Sequence, residues 1–157
     1  MTKNEWVDVC GEALERASVD HFHPLEIADV GREVRSEFIA KSVVILDAPQ
    51  PHLIPYAVQL CRVLCDLRAA VRPMPVLVNS WYRSRLYNHR IGGVRNSMHL
   101  TCGAADVTKV GFTPDEVADI LENHPDADKF GIGRYENFVH LDIRGMLGRS
   151  APAQWSL

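Results

Sequence analysis

Between positions 52 and 71, Leu53, Ala57, Leu60, Leu64, Leu67 and Val71 recur at steps of four and three. That spacing lays the apolar side chains along one stripe of a helix, so the segment must be buried along its length. Pro73 and Pro75 stop the helix. The β-branched run Val76-Leu77-Val78 just beyond them predicts a central strand. A buried helix followed at once by a strand restricts the chain to folds in which helices and a sheet share one core.

The remaining segments fit that restriction. Residues 3–17 read as an amphipathic helix with Trp6, Val9, Cys10, Ala13, Leu14 and Ala17 on one stripe. His23 to Ala28 forms a short helical turn with Pro24 near its first position. Ser84 to Arg90 is a second short helix, ended by Gly92-Gly93, and Ala104 to Val107 is a strand carrying Asp106. Thr113, Pro114 and Glu116 make a helix start with a cap, a first-position proline and a capping box, and that helix runs to about Asn123. Gly131 to Tyr135 and Phe138 to Ile143 read as antiparallel strands joined by a turn at Glu136-Asn137. The tail from Gly148 is expected to be loose. The organisation is one α+β domain overall: an N-terminal helix over 1–18, a main unit over 19–147 and a tail over 148–157. Its sheet is small and mainly antiparallel, with helices packed on one side.

Composition narrows the function classes. A net charge of −3 argues against nonspecific nucleic-acid binding, which needs a basic surface. No apolar run approaches the roughly 18–20 residues of a membrane span. The opening Met1-Thr2-Lys3-Asn4-Glu5 has no basic region leading into an apolar stretch, so no secretory signal is expected. Cys10, Cys61, Cys65 and Cys102 contain no C-x-x-C pair and are expected to be free, mostly buried thiols.

The chemistry-bearing residues lie in two stretches, Asn96 to Asp106 and Phe138 to Asp142. His99 and Asp106 are seven apart, a spacing that suits a loop ligand followed by a strand ligand rather than one helix face. His140 and Asp142 share a strand face because side chains alternate with period two. Two imidazoles and a carboxylate with one position left to water would make a catalytic zinc site. The same residues would equally serve as hydrogen-bonded core histidines, with Asp142 paired to a nearby arginine. Spacing alone leaves both readings open.

Taken together, the motifs resemble those of the zinc D-alanyl-D-alanine carboxypeptidase and endopeptidase superfamily, whose fold is shared with the hedgehog signalling domain. Its S-x-H-x-x-G-x-A-x-D signature is met at Ser97, His99, Ala104 and Asp106, and Ser80-Trp81-Tyr82-Arg83-Ser84 supplies the preceding S-x-Y-R-S. Asn88 with Gly92-Gly93 is similar to an N…GG segment, and His21-Phe22 to an early H-F. Gly131 to Tyr135 followed by Phe138 to Asp142 resembles the G-x-G-x-Y…F-V-H-x-D ending of the phage-type branch. The likeness spans roughly residues 20–145.

The resemblance implies one zinc per chain, held by His99, Asp106 and His140. It implies hydrolysis of amide bonds in peptidoglycan stem peptides, as a carboxypeptidase or an endopeptidase. Arg83 would face the substrate or the developing oxyanion, and Ser97 and Tyr82 would contact substrate. Cys102 stands where the signature has glycine. Either the left-handed position moves to Gly103, or the thiol lies near the zinc. Asn137 occupies the place of the usual general base and cannot take a proton. Asp142 is expected to replace it, with Glu136 the second choice; the competing role for Asp142 is a brace that orients an arginine or a histidine. With no signal expected, a phage lysin or a virion-associated wall hydrolase fits, acting at the bacterial cell wall. The rival is a catalytically impaired zinc-fold component of a phage virion or tail, partnered by virion or tail proteins.

Overall fold

Thr2 opens the first helix: its hydroxyl accepts from the Glu5 N–H at 3.2 Å, and the Glu5 carboxylate accepts from the Thr2 N–H at 2.7 Å. This capping box starts α1 (Lys3–Arg16), which buries Trp6, Cys10 and Leu14. In the computed structural model, which describes residues 1–28 and 48–156, α1 leads into the short α2 (Pro24–Ala28), tied to it by a hydrogen bond from Trp6 Nε1 to the Pro24 carbonyl. The main unit expected over 19–147 therefore lies partly outside the described residues.

A 3-10 turn, Pro51–Leu53, feeds α3 (Ile54–Ala69). The expected seam is buried at Leu53, Ala57, Leu60, Leu64 and Leu67. It ends sooner than its spacing predicts. Val71 lies past the helix at φ 61° and is 84% exposed. The buried Lys109 ammonium closes the helix by donating to the carbonyls of Leu67 and Ala70, at 2.7 and 2.6 Å. Carbonyls left over at a helix C-terminus favour such a cation.

Five strands follow: β1 (Val76–Ser80), β2 (Ala104–Lys109), β3 (Gly131–Arg134), β4 (Val139–Asp142) and β5 (Ala153–Ser156). Their spatial order is β1-β2-β4-β3-β5. All neighbours are antiparallel except β3 and β5, which run parallel. Two expectations need correcting. Among the described residues β1 is an edge strand rather than a central one, and its Leu77 is 52% exposed. The tail is not loose: residues 153–156 extend the sheet beside β3.

The helix α4 (Arg85–Arg90), capped by Ser84, precedes β2, and α5 (Pro114–Glu122), opened by the Thr113–Glu116 capping box, follows it. One face of the sheet carries Ala105, Val107, Ile132, Val139 and Leu141 into the core with α3 and α5. The opposite face is polar, and register organises it. Ser80 pairs Asp106, Asp106 pairs His140, His140 pairs Gly133, and Gly133 pairs Trp155. Because directly paired residues project to the same face, this row gathers polar and aromatic side chains across the whole sheet.

Candidate metal centre

Each half of the site reaches its place by a local rule. Ser97 caps a 3-10 turn, Met98–Thr101, by accepting from the His99 N–H. Cys102 then takes the left-handed conformation at φ 59°, and β2 begins at Ala104. The reversal thus occurs at Cys102 itself and not at Gly103. The Cys102 side chain is fully buried, and its carbonyl accepts from Trp81 Nε1. Burial pushes its thiol pKa well up, so it behaves as a small core residue. Asp106 and His140 meet across β2 and β4 as a directly paired couple.

The hydrogen-bond partners decide which ring nitrogens carry protons. His99 Nδ1 lies 2.5 Å from the Trp81 carbonyl, an acceptor, so Nδ1 is the donor and Nε2 holds a lone pair. His140 Nε2 lies 3.1 Å from Asp142 Oδ2 and Nδ1 lies 2.9 Å from Asp106 Oδ1; a neutral ring that donates from Nε2 leaves the Nδ1 lone pair facing the site. His99 Nε2 and His140 Nδ1 face each other at 3.2 Å. Asp106 Oδ1 completes the triangle, 3.3 Å from the first and 2.9 Å from the second. With both imidazoles neutral, three acceptor atoms, all within 4.8 Å of one another, converge with no proton between them. Such an arrangement is costly when buried unless a cation sits at its centre. Two imidazole nitrogens and a carboxylate oxygen suit zinc, with room for a further ligand.

Surrounding groups hold this geometry. Arg83 Nη2 donates to Asp106 Oδ2 at 2.5 Å, Arg83 Nε donates to Ser80 Oγ, and the Arg83 N–H donates to the His99 carbonyl. Asp142 is fully buried. Its Oδ1 accepts from the Arg144 N–H and Nε, and its Oδ2 from Arg144 Nη2 and His140 Nε2. Burial raises the Asp142 carboxyl pKa, but the bonds from Arg144 and His140 outweigh it and hold the value down. Asp106 is depressed in the same way by its two histidines. Burial lowers His99, whereas in His140 the carboxylates of Asp106 and Asp142 overcome burial and raise it.

The triad opens onto a cleft of about 720 Å³. Arg83, Ser97 and Asp142 line it, as do Arg144, Arg149, Tyr135, Phe138 and Trp155. Tyr135 and Phe138 stack with ring centres 4.4 Å apart, and Trp155 lies 5.3 Å from the His140 ring. Tyr82 packs against the core and is not part of this lining. Glu136 and Asn137 are exposed on the β3–β4 turn and also do not line it. Trp81 is core, and His124 caps a turn by accepting from the Asp126 N–H.

Sequence reading misses Arg144, Arg149 and Trp155. A signal for two of them exists in Gly131-Ile132-Gly133. A side chain at Gly131 would come within 2.5 Å of Asp142 Oδ2, where Arg144 docks, and one at Gly133 within 2.5 Å of Trp155 Nε1. The two glycines keep clear the space that the arginine and the tryptophan fill.

A family model described as Peptidase M15 matches residues 20–142, and no curated protein matches the chain.

Proposed function

This chain belongs to the Peptidase M15 family, and from that premise we propose that it hydrolyses amide bonds in peptidoglycan stem peptides as a phage lysin or virion-associated wall hydrolase. The family supports a zinc metallopeptidase, and its peptidases act on peptidoglycan peptides. One observation carries the reading: His99, Asp106 and His140 bring three ligand atoms within 4.8 Å of one another in a cleft. When bound, zinc supplies Lewis-acid polarisation of the scissile carbonyl and of water.

The chain's own residues do the rest. Trp81 and Asp142 each accept a hydrogen bond from the outer nitrogen of a histidine and so fix the tautomers that face the site. Arg83 fastens the Asp106 oxygen that points away from the histidines. Its guanidinium lines the cleft and offers positive charge to a developing oxyanion. Asp142 has its oxygens committed to Arg144 and His140, so we assign it to orienting His140 rather than to carrying the proton. Tyr135, Phe138 and Trp155 provide walls for the peptide, and Ser97 lines the same cleft from the ligand loop.

A second reading has its own support. Among the described residues lining the cleft, the carboxylates are Asp106 and Asp142, both engaged, and Asn137 stands in place of a base. That arrangement favours a zinc-fold virion or tail component without turnover. Mass analysis of purified peptidoglycan incubated with the zinc-loaded protein separates the two. The hydrolase reading expects fragments with a new amine and a new carboxyl group, absent after chelation and restored by zinc. Intact wall in the presence of bound zinc would favour the structural reading instead.

A further inference from the structure

The cleft holds three guanidinium groups and two carboxylates. Two of the arginines are neutralised where they stand. Arg83 meets Asp106 at 2.5 Å, and Arg144 meets Asp142 at 2.7 Å. Arg149 is different. Its Nη1 donates to the Asn96 carbonyl at 2.8 Å, and no carboxylate of the described residues reaches it. That hydrogen bond ties the segment after β4 to the loop that leads into the ligand turn, so the guanidinium is held at the cleft rather than left to wander. Its charge is the one in the lining that the protein does not compensate from within the described residues.

The charge pattern of the chain points the same way. From Leu67 to Ala105 the sequence carries six arginines and no aspartate or glutamate, although the whole chain has a net charge of −3. Part of this acid-free stretch, from Gly92 to His99, forms one wall of the cleft. Arg95 stands exposed within that part. An uncompensated positive charge at a cleft of a net-negative protein concentrates ligands of opposite charge at its mouth.

We propose that Arg149 binds a free carboxylate of the substrate peptide, so that the cleft selects anionic peptides. This rests on the hydrolase reading above and adds the substrate's charge and the residue that reads it. A planar fork of N–H donors matches a carboxylate in shape as well as charge. The carboxylate has two possible sources with the same chemistry: the C-terminus of the departing residue, which makes the enzyme a carboxypeptidase, or a carboxylate within a longer peptide, which suits an endopeptidase.

The test uses the zinc-loaded full chain and four forms of one stem peptide: unmodified, amidated at the terminus, amidated at the internal carboxylate, and amidated at both. Wild type should lose about ten- to a hundredfold in kcat/KM on one of the single amidations, through KM. Arg149→Gln should show the same rise in KM on the unmodified peptide and no further response to that amidation. Arg149→Lys should recover part of the loss. Which single amidation matters identifies the source. Equal kcat/KM for all four forms overturns the proposal, as does a variant that responds to amidation as wild type does. If no form is cleaved, the hydrolase reading has failed, and calorimetric binding of the same four peptides decides this inference separately. Tighter binding of the free carboxylate, lost in Arg149→Gln, sustains it; equal affinities refute it. Should Arg149→Gln fail to fold, Arg149→Lys and the wild-type comparison across the four peptides decide between the same outcomes.

Discussion

Asp142 illustrates how a residue's role depends on its partners. Alternation along β4 places it on the face of His140, but spacing cannot reveal that Arg144 grips both of its oxygens. A carboxylate held this way is a weak base and a good anchor. Asp142→Asn is therefore expected to weaken zinc binding by about 10–100-fold, the usual cost of losing the group that orients a metal-bound histidine. Competition with a chelator of known affinity measures this. Unchanged zinc affinity, with kcat down about 10²–10⁴-fold, would return the proton-carrying role to Asp142. Arg83 is legible from the S-x-Y-R-S motif; its grip on Asp106 is not, because that contact joins segments 23 residues apart. Arg83→Lys should lower kcat more than it raises KM, since a point charge cannot hold Asp106 and face the substrate with one fork. A change confined to KM would mean that Arg83 only binds substrate.

At the level of elements, local signals are legible in the sequence and long-range pairing is not. The α5 start is a case of the first kind, because Thr113 and Glu116 satisfy each other within one turn. Bonds from the Thr113 N–H and hydroxyl hold the Glu116 pKa below its ordinary 4.5. A depressed carboxyl contributes stability that is complete above the unfolded value and is lost as pH falls through the lower folded value. Glu116→Gln should therefore melt below wild type at neutral pH, and the gap should close as the pH drops below 4.5. A gap that stays constant with pH would rule out this source of stability. β5 is a case of the second kind. Ala153-Gln154-Trp155-Ser156 alternates over only four residues, too few to mark a strand, and its partner β3 lies on the far side of β4 in the chain, in a parallel pairing that no local rule announces. The run Val76-Leu77-Val78 misleads in the opposite sense, since β-branched residues favour strands without saying whether the strand is central or at an edge. Gly133→Ala should drive Trp155 off its seat, costing about 1–3 kcal/mol as overpacking does. Chemical denaturation reads the loss; unchanged stability would show that Trp155 has room to spare.

Across the whole molecule, the sheet divides the labour between its faces. One face, with Val107, Val139 and Leu141, joins the core of α3 and α5. The other aligns Ser80, Asp106, His140, Gly133 and Trp155 in one row. Asp106 and His140 are thus carried on a sheet anchored from behind, and only His99 comes from a turn. This division is partly legible, since the motif residues and the helical seam are visible in sequence, while the lateral row depends on register. Among the described residues, no helix is long and apolar enough to cross a membrane. This face is proposed to hold one zinc ion through His99, Asp106 and His140. Elemental analysis of purified protein after extensive dialysis tests it most directly. One zinc per wild-type chain is expected, and almost none in folded His99→Ala and His140→Ala; full zinc retention in both variants would refute this ligand set.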